Sequence, residues 1–302
     1  VLRVQGCTPA AIGRALGRHR SSITRELARN RTHHDGYYRP QLADWYARGR
    51  RSRSRRNTRF TAADWARVHA WLREDWSPEQ IVGWCARFRL LAISHETIYR
   101  HIWVDKHRGG TLHGHLRRAN KPFRKRYGAY DSRGRLAGKR PIATRPPGAA
   151  HRSRFGHWEG DTVLGASQAG ACIVTMVERK SGFTAIGKVA RRAGGEVNAR
   201  LQQLIAAQPR LVRTITVDNG TEFHSYKALE QVVDARFYFA TPHHAWERGT
   251  NENTNGLIRQ YLPKRASMEA LTQHECHRIA TKLNRRPRKR LGYRTPEECY
   301  VP

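Results

Sequence analysis

Three short segments between His157 and Arg259 decide how this chain folds. They are His157-Trp158-Glu159-Gly160-Asp161-Thr162-Val163, Ile215-Thr216-Val217-Asp218-Asn219-Gly220 and Asn251-Glu252-Asn253. They carry the carboxylates Asp161, Asp218 and Glu252 in a chain with 57 Lys and Arg against 24 Asp and Glu. The simplest joint use of such carboxylates is to hold two divalent metal ions against phosphodiester oxygens. The alternative is that each carboxylate forms an ion pair with one of the abundant arginines.

Around these segments the hydrophobic pattern alternates between strands and helices. It predicts strands over 158–164, 171–177, 183–189, 212–217 and 236–240, and helices over 195–207, 226–233, 253–261 and 272–284. Three leading strands, a helix and then strand–helix–strand is the ribonuclease-H-like order, which predicts a mixed five-stranded sheet. The expected fold class is therefore α+β with several domains, in which all-α helix-turn-helix units precede a ribonuclease-H-like α/β core.

The carboxylates and their surroundings resemble a known family. Asp161, Asp218 and Glu252, with 33 residues between the last two, resemble the DDE triad of transposases with an integrase-type core. The run Trp246-Glu247-Arg248-Gly249-Thr250-Asn251-Glu252-Asn253-Thr254-Asn255-Gly256-Leu257-Ile258-Arg259-Gln260-Tyr261-Leu262-Pro263-Lys264 is similar to that of the insertion-sequence-thirty family. The resemblance covers nearly the whole chain.

The resemblance implies a DNA transposase that binds the ends of its insertion sequence and cuts and joins strands by hydroxyl attack on phosphodiesters. Asp161, Asp218 and Glu252 are its implied catalytic residues and the ligands of two Mg²⁺ ions, which Mn²⁺ can replace. The family pattern also implies a phosphate contact from Arg259, with Lys264 as a weaker candidate. The implied partners are double-stranded element ends and target DNA, and by analogy a homo-oligomer forms on the DNA.

Two other functions are compatible with this pattern. A nuclease on the same core would cut DNA without joining it to a target. A transcriptional regulator with a decayed core would bind DNA without cutting it, although the intact triad argues against this. Glu222, one helical turn after Asp218, competes as a supporting carboxylate, and Trp246 is equally suited to stack on a base or to cap the core.

The charge balance independently predicts a polyanionic partner. The formal net charge is +33, and nucleic acid is the commonest partner of such a surface. A basic membrane protein would need a long apolar segment, but the sequence contains no run of 18 apolar residues and no signal peptide. We therefore expect a cytoplasmic, nucleoid-associated protein. Because the chain begins at Val1, we also expect its natural N-terminus to lie upstream.

Residues 1–47 are predicted to form a first helix-turn-helix domain. Thr8 and Pro9 are typical of a helix start, and Gly17 separates this helix from a second one. The second helix would offer short polar and basic side chains to a DNA groove, namely Arg18, Arg20, Ser21, Ser22, Thr24 and Arg25. A plain helical hairpin with a solvated basic face is the alternative. Residues 48–60 are predicted to be a basic linker.

Residues 61–105 are predicted to form a second helix-turn-helix domain. Ser77 and Gln80 form the pattern of a capping box, and Ile98 and Ile102 point inward from a later helix. The candidate DNA contacts on that helix are His95, Thr97 and Arg100. Two such domains in tandem suit a long bipartite site. Residues 106–152 are expected to be a basic connector, and residues 153–302 the catalytic core.

Overall fold

The computed structural model describes residues 2–3, 5–53, 60–117, 138–167, 170–242 and 244–301. Its contacts divide the chain into two compact units, residues 1–66 and 67–302. Parts of the predicted basic linker (54–59) and basic connector (118–137) lie outside the described residues, as does His243. Within the described part, no helix is both long and apolar enough to cross a membrane. The predicted domain bounds within residues 67–302 stay predictions.

The first unit is helical, as the sequence predicted. It contains α1 (Pro9–Ala15), α2 (Arg20–Asn30) and α3 (Pro40–Arg53). The Thr8 side chain accepts a hydrogen bond from the Ala11 backbone N–H, and Gly17 takes a φ of +61° between the first two helices. Because φ is positive there, glycine ends α1 at little steric cost. Leu16, directly after α1, is 57% exposed.

The second helical group contains α4 (Ala62–Arg73), α5 (Pro78–Arg87) and α6 (His95–His107). The predicted capping box of Ser77 and Gln80 is present at the start of α5. Ile98 and Ile102 of α6 are fully buried, which confirms the predicted inward face of that helix. The α5–α6 pair is thus built as the hydrophobic pattern indicated.

This helical group is tied to the C-terminal part of the chain around Asp75. The Asp75 carboxylate accepts hydrogen bonds from His115 Nδ1 (3.0 Å) and Tyr261 Oη (2.9 Å), and Lys282 Nζ lies 3.4 Å away. In addition, the Gln80 side chain donates to the Pro287 carbonyl at 2.9 Å. Through Tyr261, Lys282 and Pro287, these polar contacts join the turn after α4 and the start of α5 to the C-terminal segments.

The C-terminal part is a sheet covered by helices. After a short α7 (Pro147–Ala150) come β1 (His157–Leu164), β2 (Cys172–Glu178) and β3 (Thr184–Val189). The following elements are α8 (Gly194–Ala206), β4 (Thr214–Val217), α9 (Tyr226–Val232), β5 (Arg236–Phe239), α10 (Gly249–Ile258), α11 (Gln273–Asn284) and α12 (Pro296–Tyr300). The strand order is β3-β2-β1-β4-β5. Strands β1–β3 pair antiparallel, and β4 and β5 continue the sheet parallel to β1, so the predicted mixed sheet is confirmed.

Two apolar cores lie on opposite faces of this sheet. One contains Trp158 of β1 and packs under α8 and α9, and the other contains Val163 of β1 and packs under α10 and α11. Because successive side chains in a strand alternate between faces, Glu159 and Asp161 share the face of Val163. Asp161 therefore faces the side of the sheet where α10 lies.

Helix α10 begins at Gly249, four residues before the predicted start at Asn253. The reason is a tertiary cap: the Asn251 backbone N–H donates to Glu159 Oε2 of β1 at 3.0 Å. A carboxylate at a helix N-terminus satisfies a free N–H group and interacts favourably with the helix dipole. This cap is 92 residues away in sequence, so local spacing gave no sign of it.

Candidate active site

Asp161 and Asp218 lie at the same level on neighbouring parallel strands. Glu159 of β1 pairs with Thr216 of β4. Asp161 lies two residues after Glu159, and Asp218 lies two residues after Thr216. Neighbouring strands run about 4.8 Å apart, so this register brings the two carboxylates together at the sheet edge. Their side chains are 20% and 31% exposed. The predicted convergence of these two residues is thus a property of the strand register.

The two aspartates share one cation, the guanidinium of Arg248. Arg248 Nη2 lies 3.2 Å from Asp161 Oδ1, and Arg248 Nη1 lies 3.7 Å from Asp218 Oδ2. The same side chain donates to the Gly160 carbonyl at 2.7 Å and is buried. Ion pairing with arginine, the alternative use of these carboxylates, is therefore present at this site together with their convergence.

The pKa of Asp218 is raised above its usual value. Burial is the main cause, and the negative charges of Asp161 and Glu222 add to it, while the Arg248 guanidinium opposes them. Two carboxylates at one edge repel each other, so a positive charge between them stabilises their ionised forms. Arg248 supplies that charge in the protein as described.

Helix α10 carries the third predicted carboxylate. Asn255 donates from Nδ2 to Asp161 Oδ2 at 2.7 Å, and Glu252 lies one helical turn earlier on the same helix. Glu252 itself is exposed. In the described part of the chain, no group of three or more His, Cys, Asp or Glu side chains is placed to hold a metal ion. The structure therefore joins Asp161 with Asp218 and puts Glu252 on the adjoining helix, outside such a cluster.

A buried ion pair fixes the start of α10. Glu159 is fully buried and pairs with Arg179, whose Nε also donates to the Ala149 carbonyl at 2.8 Å. The second Glu159 oxygen caps α10 at Asn251. Breaking a buried pair leaves an uncompensated charge, so this arrangement holds the helix firmly against β1.

Glu222 lies beside the site, and its negative charge is balanced by an arginine. Its carboxylate accepts from Thr162 Oγ1 at 2.7 Å and pairs with Arg192 at 2.8 Å. A Cβ added at Gly220 would lie 2.4 Å from Glu222 Oε2 and 2.9 Å from Asp218 Oδ1. Glycine at position 220 thus allows the carboxylates of Asp218 and Glu222 to approach the backbone there.

Further basic residues border the site. Lys139, from the predicted connector, donates from Nζ to Asn219 Oδ1 at 2.5 Å and interacts electrostatically with Asp218. Arg259 ends α10 and donates to the Leu164 carbonyl at 2.8 Å, so its guanidinium ties the helix to β1. Lys264 is exposed in the following loop. The predicted DNA contacts of Arg259 and Lys264 stay predictions.

The predicted contacts on the helical units lie on exposed helix faces. All six residues proposed on and before α2 are exposed: Arg18, Arg20, Ser21, Ser22, Thr24 and Arg25. On α6, His95 and Arg100 are exposed, and Thr97 is partly buried because its backbone N–H and hydroxyl pair with the cap residue Ser94. This exposure fits a groove-facing role for these residues, which remains a prediction.

Sequence reasoning missed Arg248, Asn255 and the Glu159–Arg179 pair. Arg248 and Asn255 lie inside the quoted run 246–264, but a basic or amide residue there has no distinguishing spacing. Four polar atoms of this region are buried without a hydrogen-bond partner in the described part: Arg248 Nε, Asn255 Oδ1, and Asn251 Oδ1 and Nδ2. Buried polar atoms without partners are uncommon in folded proteins, and here they cluster beside the two aspartates.

The comparison with known proteins now defines the class. The Integrase core domain model matches residues 151–245, the segment that contains both aspartates. The catalytic core of BIV integrase aligns over 48% of this chain and 93% of its own, with 20% identity and a TM-score of 0.38. The segment that carries both aspartates is thus similar to the integrase core domain.

Curated relatives give the family. The transposase of insertion sequence element IS4351 from Bacteroides fragilis is 41% identical, over 96% of this chain and 89% of the relative. Transposase InsI of insertion sequence element IS30A from Escherichia coli K12 is 36% identical, over 95% of this chain and 77% of the relative. The chain belongs to this insertion-sequence-thirty (IS30) family and is a DNA transposase.

Proposed function

We propose that this transposase cuts and joins DNA strands at a site formed by Asp161, Asp218 and Glu252, with two divalent metal ions. The observation that supports it most is the shared position of Asp161 and Asp218, which both lie within 3.7 Å of one guanidinium. The two carboxylates attract the guanidinium through their negative charge, and a divalent metal ion requires the same negative charge from its ligands.

The donor chemistry at this edge fits magnesium. Asp161 and Asp218 offer carboxylate oxygens, and Asn255 Oδ1 is a buried acceptor without a partner among the described residues. Hard cations such as Mg²⁺ prefer oxygen ligands, and Mn²⁺ accepts the same set. When bound, the ions would polarise the scissile phosphodiester and neutralise charge on the attacking and leaving oxygens.

The chain's own residues would prepare this site in three ways. Asn255 orients the Asp161 carboxylate through its 2.7 Å hydrogen bond. The Glu159 cap fixes the start of α10 and thereby the reach of Glu252. Arg248 offsets the negative charge of the two aspartates through its ion pairs with both carboxylates.

DNA binding would come from the exposed basic faces. The residues of α2 and α6 given above would contact the element ends, while Arg259 and Lys264 would approach phosphates near the cleavage site. Bringing two ends together calls for more than one copy of the chain, so we propose a homo-oligomer on DNA. Work on chromosomal DNA would place the protein in the cytoplasm at the nucleoid.

The test is a set of single substitutions assayed on element-end DNA with Mg²⁺. Asp161→Asn, Asp218→Asn and Glu252→Gln should each abolish end cleavage while leaving end binding unchanged, because they remove charge with little change of shape. Glu247→Gln is the matched control, since Glu247 belongs to the same run but bonds to Thr241 (2.8 Å from its backbone N–H). Normal cleavage by the three variants would refute the proposed site.

The same assay separates the alternative functions. Cleavage without joining of the cut end to a target duplex would indicate a nuclease. Binding without any cleavage by the unmodified chain would indicate a regulator.

A further inference from the structure

A second basic feature lies at the N-terminal ends of the strands, away from the aspartates. It is an open groove of about 630 Å³ where β1, β4 and β5 begin. Three arginine side chains line it, Arg154, Arg213 and Arg236, together with His151. Asp161 lies four residues along β1 from His157 of the groove, or about 13 Å at 3.3 Å per residue. We call this feature the strand-start groove.

The backbones of two of its arginines meet where β4 and β5 begin. Arg213 directly precedes Thr214, which pairs with Arg236 where β4 and β5 begin, and the Arg236 backbone N–H donates to the Arg213 carbonyl at 3.0 Å. Neighbouring strands are about 4.8 Å apart. The two guanidinium arms therefore start from adjacent chain positions, a spacing that the sheet fixes.

A glycine with special geometry completes this corner. Gly156, just before β1, has a φ of +94°, and a Cβ there would lie 2.6 Å from the Leu211 carbonyl oxygen and 3.1 Å from Arg213 Cγ. Only glycine combines that φ with so close an approach. The Arg213 side chain can thus lie across the backbone at the wall of the groove.

The groove holds more positive charge than its own side chains neutralise. Arg154, Arg213 and Arg236 are exposed, and none has a side-chain hydrogen bond or ion pair with another described residue. Asp234 is the acidic side chain on the described wall, and it forms no ion pair there. His157, which also lines the groove, is buried, and burial is the main cause of its lowered pKa. The positive charges of Arg213, Arg179, Arg145 and Arg154 lower this pKa further because they disfavour a protonated imidazole.

We propose that the strand-start groove binds the phosphate backbone of a second DNA duplex, the target. A part of the same duplex beyond the groove reaches the aspartates, where the cut element end is joined to it. The inference rests on the proposed function, because joining DNA to a target requires two duplexes at once. Arginines suit phosphate contacts, and such contacts are independent of base sequence. The exposed Pro146 and Pro147 add an apolar wall against which sugar edges can pack.

The test is the triple variant Arg154→Gln/Arg213→Gln/Arg236→Gln, probed with a duplex of arbitrary sequence that lacks the element ends. Each lost phosphate contact lowers the salt dependence of binding by about 0.9 in log–log slope, so three contacts give a drop of about 2.7. Joining of cut ends to a target should fall about tenfold or more, while end cleavage stays within about twofold. Asp234→Asn should shift binding of the same probe in the opposite direction.

A charge-matched control separates the groove from net charge. Arg191→Gln/Arg278→Gln/Arg285→Gln removes three exposed arginines from other surfaces of the same unit. An equal loss of probe binding in this control would overturn the inference, as would equal losses of end cleavage and joining in the groove variant. Thermal melting confirms that each variant is folded. If the unmodified chain binds the probe but never cleaves ends, the proposed catalytic function fails while the binding comparison still decides the role of the groove.

Discussion

Replacing Arg248 with glutamine should destabilise the protein in a way that divalent cations reverse. The guanidinium is the shared partner of Asp161 (3.2 Å) and Asp218 (3.7 Å). Removing one partner of a fully buried ion pair costs about 3–5 kcal/mol. Because the Asp161 and Asp218 side chains are 20% and 31% exposed, solvent screening reduces the expected loss of stability to about 2 kcal/mol.

The recovery follows from binding linkage. A cation that binds only the folded state at about 100 times its dissociation constant adds about 2.7 kcal/mol of stability. In the Arg248→Gln variant the guanidinium no longer competes for the aspartates, so Mn²⁺ or Mg²⁺ should restore its free energy of unfolding to near that of the original chain. In the original chain the same cations must act against the guanidinium, and the stabilisation should be smaller.

The assay is denaturant unfolding with and without Mn²⁺, in the absence of DNA. Arg87→Gln is the control, because Arg87 pairs with Glu298 at 3.0 Å, is more exposed than Arg248 (29% against 11% of the side chain) and lies outside the aspartate site. We expect a loss of about 1 kcal/mol or less in the control and no recovery with Mn²⁺. Equal Mn²⁺ stabilisation of the variant and the original chain would refute the view that Arg248 occupies the place of the cations.

Three further substitutions test other parts of the fold. Gly220→Ala should impair cleavage and also lower stability. The backbone φ of −60° accepts alanine, but its Cβ would lie 2.9 Å from Asp218 Oδ1 and 2.4 Å from Oε2 of the buried Glu222; cleavage and melting measured together decide this. Ile98→Ala should cost about 2–5 kcal/mol because the side chain is fully buried in α6, and a chemical denaturation midpoint that does not fall would contradict it. Asp75→Asn should cost about 1–3 kcal/mol at neutral pH, and asparagine still suits the φ of +62°. Burial raises the pKa of Asp75, but hydrogen bonds from His115 and Tyr261 and the charges of Lys282 and Arg286 lower it further, so the net pKa is depressed below 3.8. The stability that the ionised form contributes is therefore present above pH 3.8 and lost as pH falls through the depressed pKa, and unfolding curves across that range should show the two proteins converge.

The sequence by itself determined the elements and their class. Alternation and helical periodicity located the strands and helices of the core, because a buried face leaves a pattern in neighbouring residues. The caps at Thr8 and Ser77 were evident for the same reason, since each cap and its partner lie within three residues. The motif around Glu252 indicated the family, which the curated relatives confirm.

Only the tertiary structure decided how the distant parts meet. The start of α10 depends on Glu159, the charge of the aspartates on Arg248, and the anchoring of the α4–α6 group on Asp75. In each case the partners are tens to hundreds of residues apart, and each contact between two partners is one hydrogen bond or one ion pair. Such contacts leave no periodicity in the sequence, because their geometry exists only after the sheet has set the strands side by side.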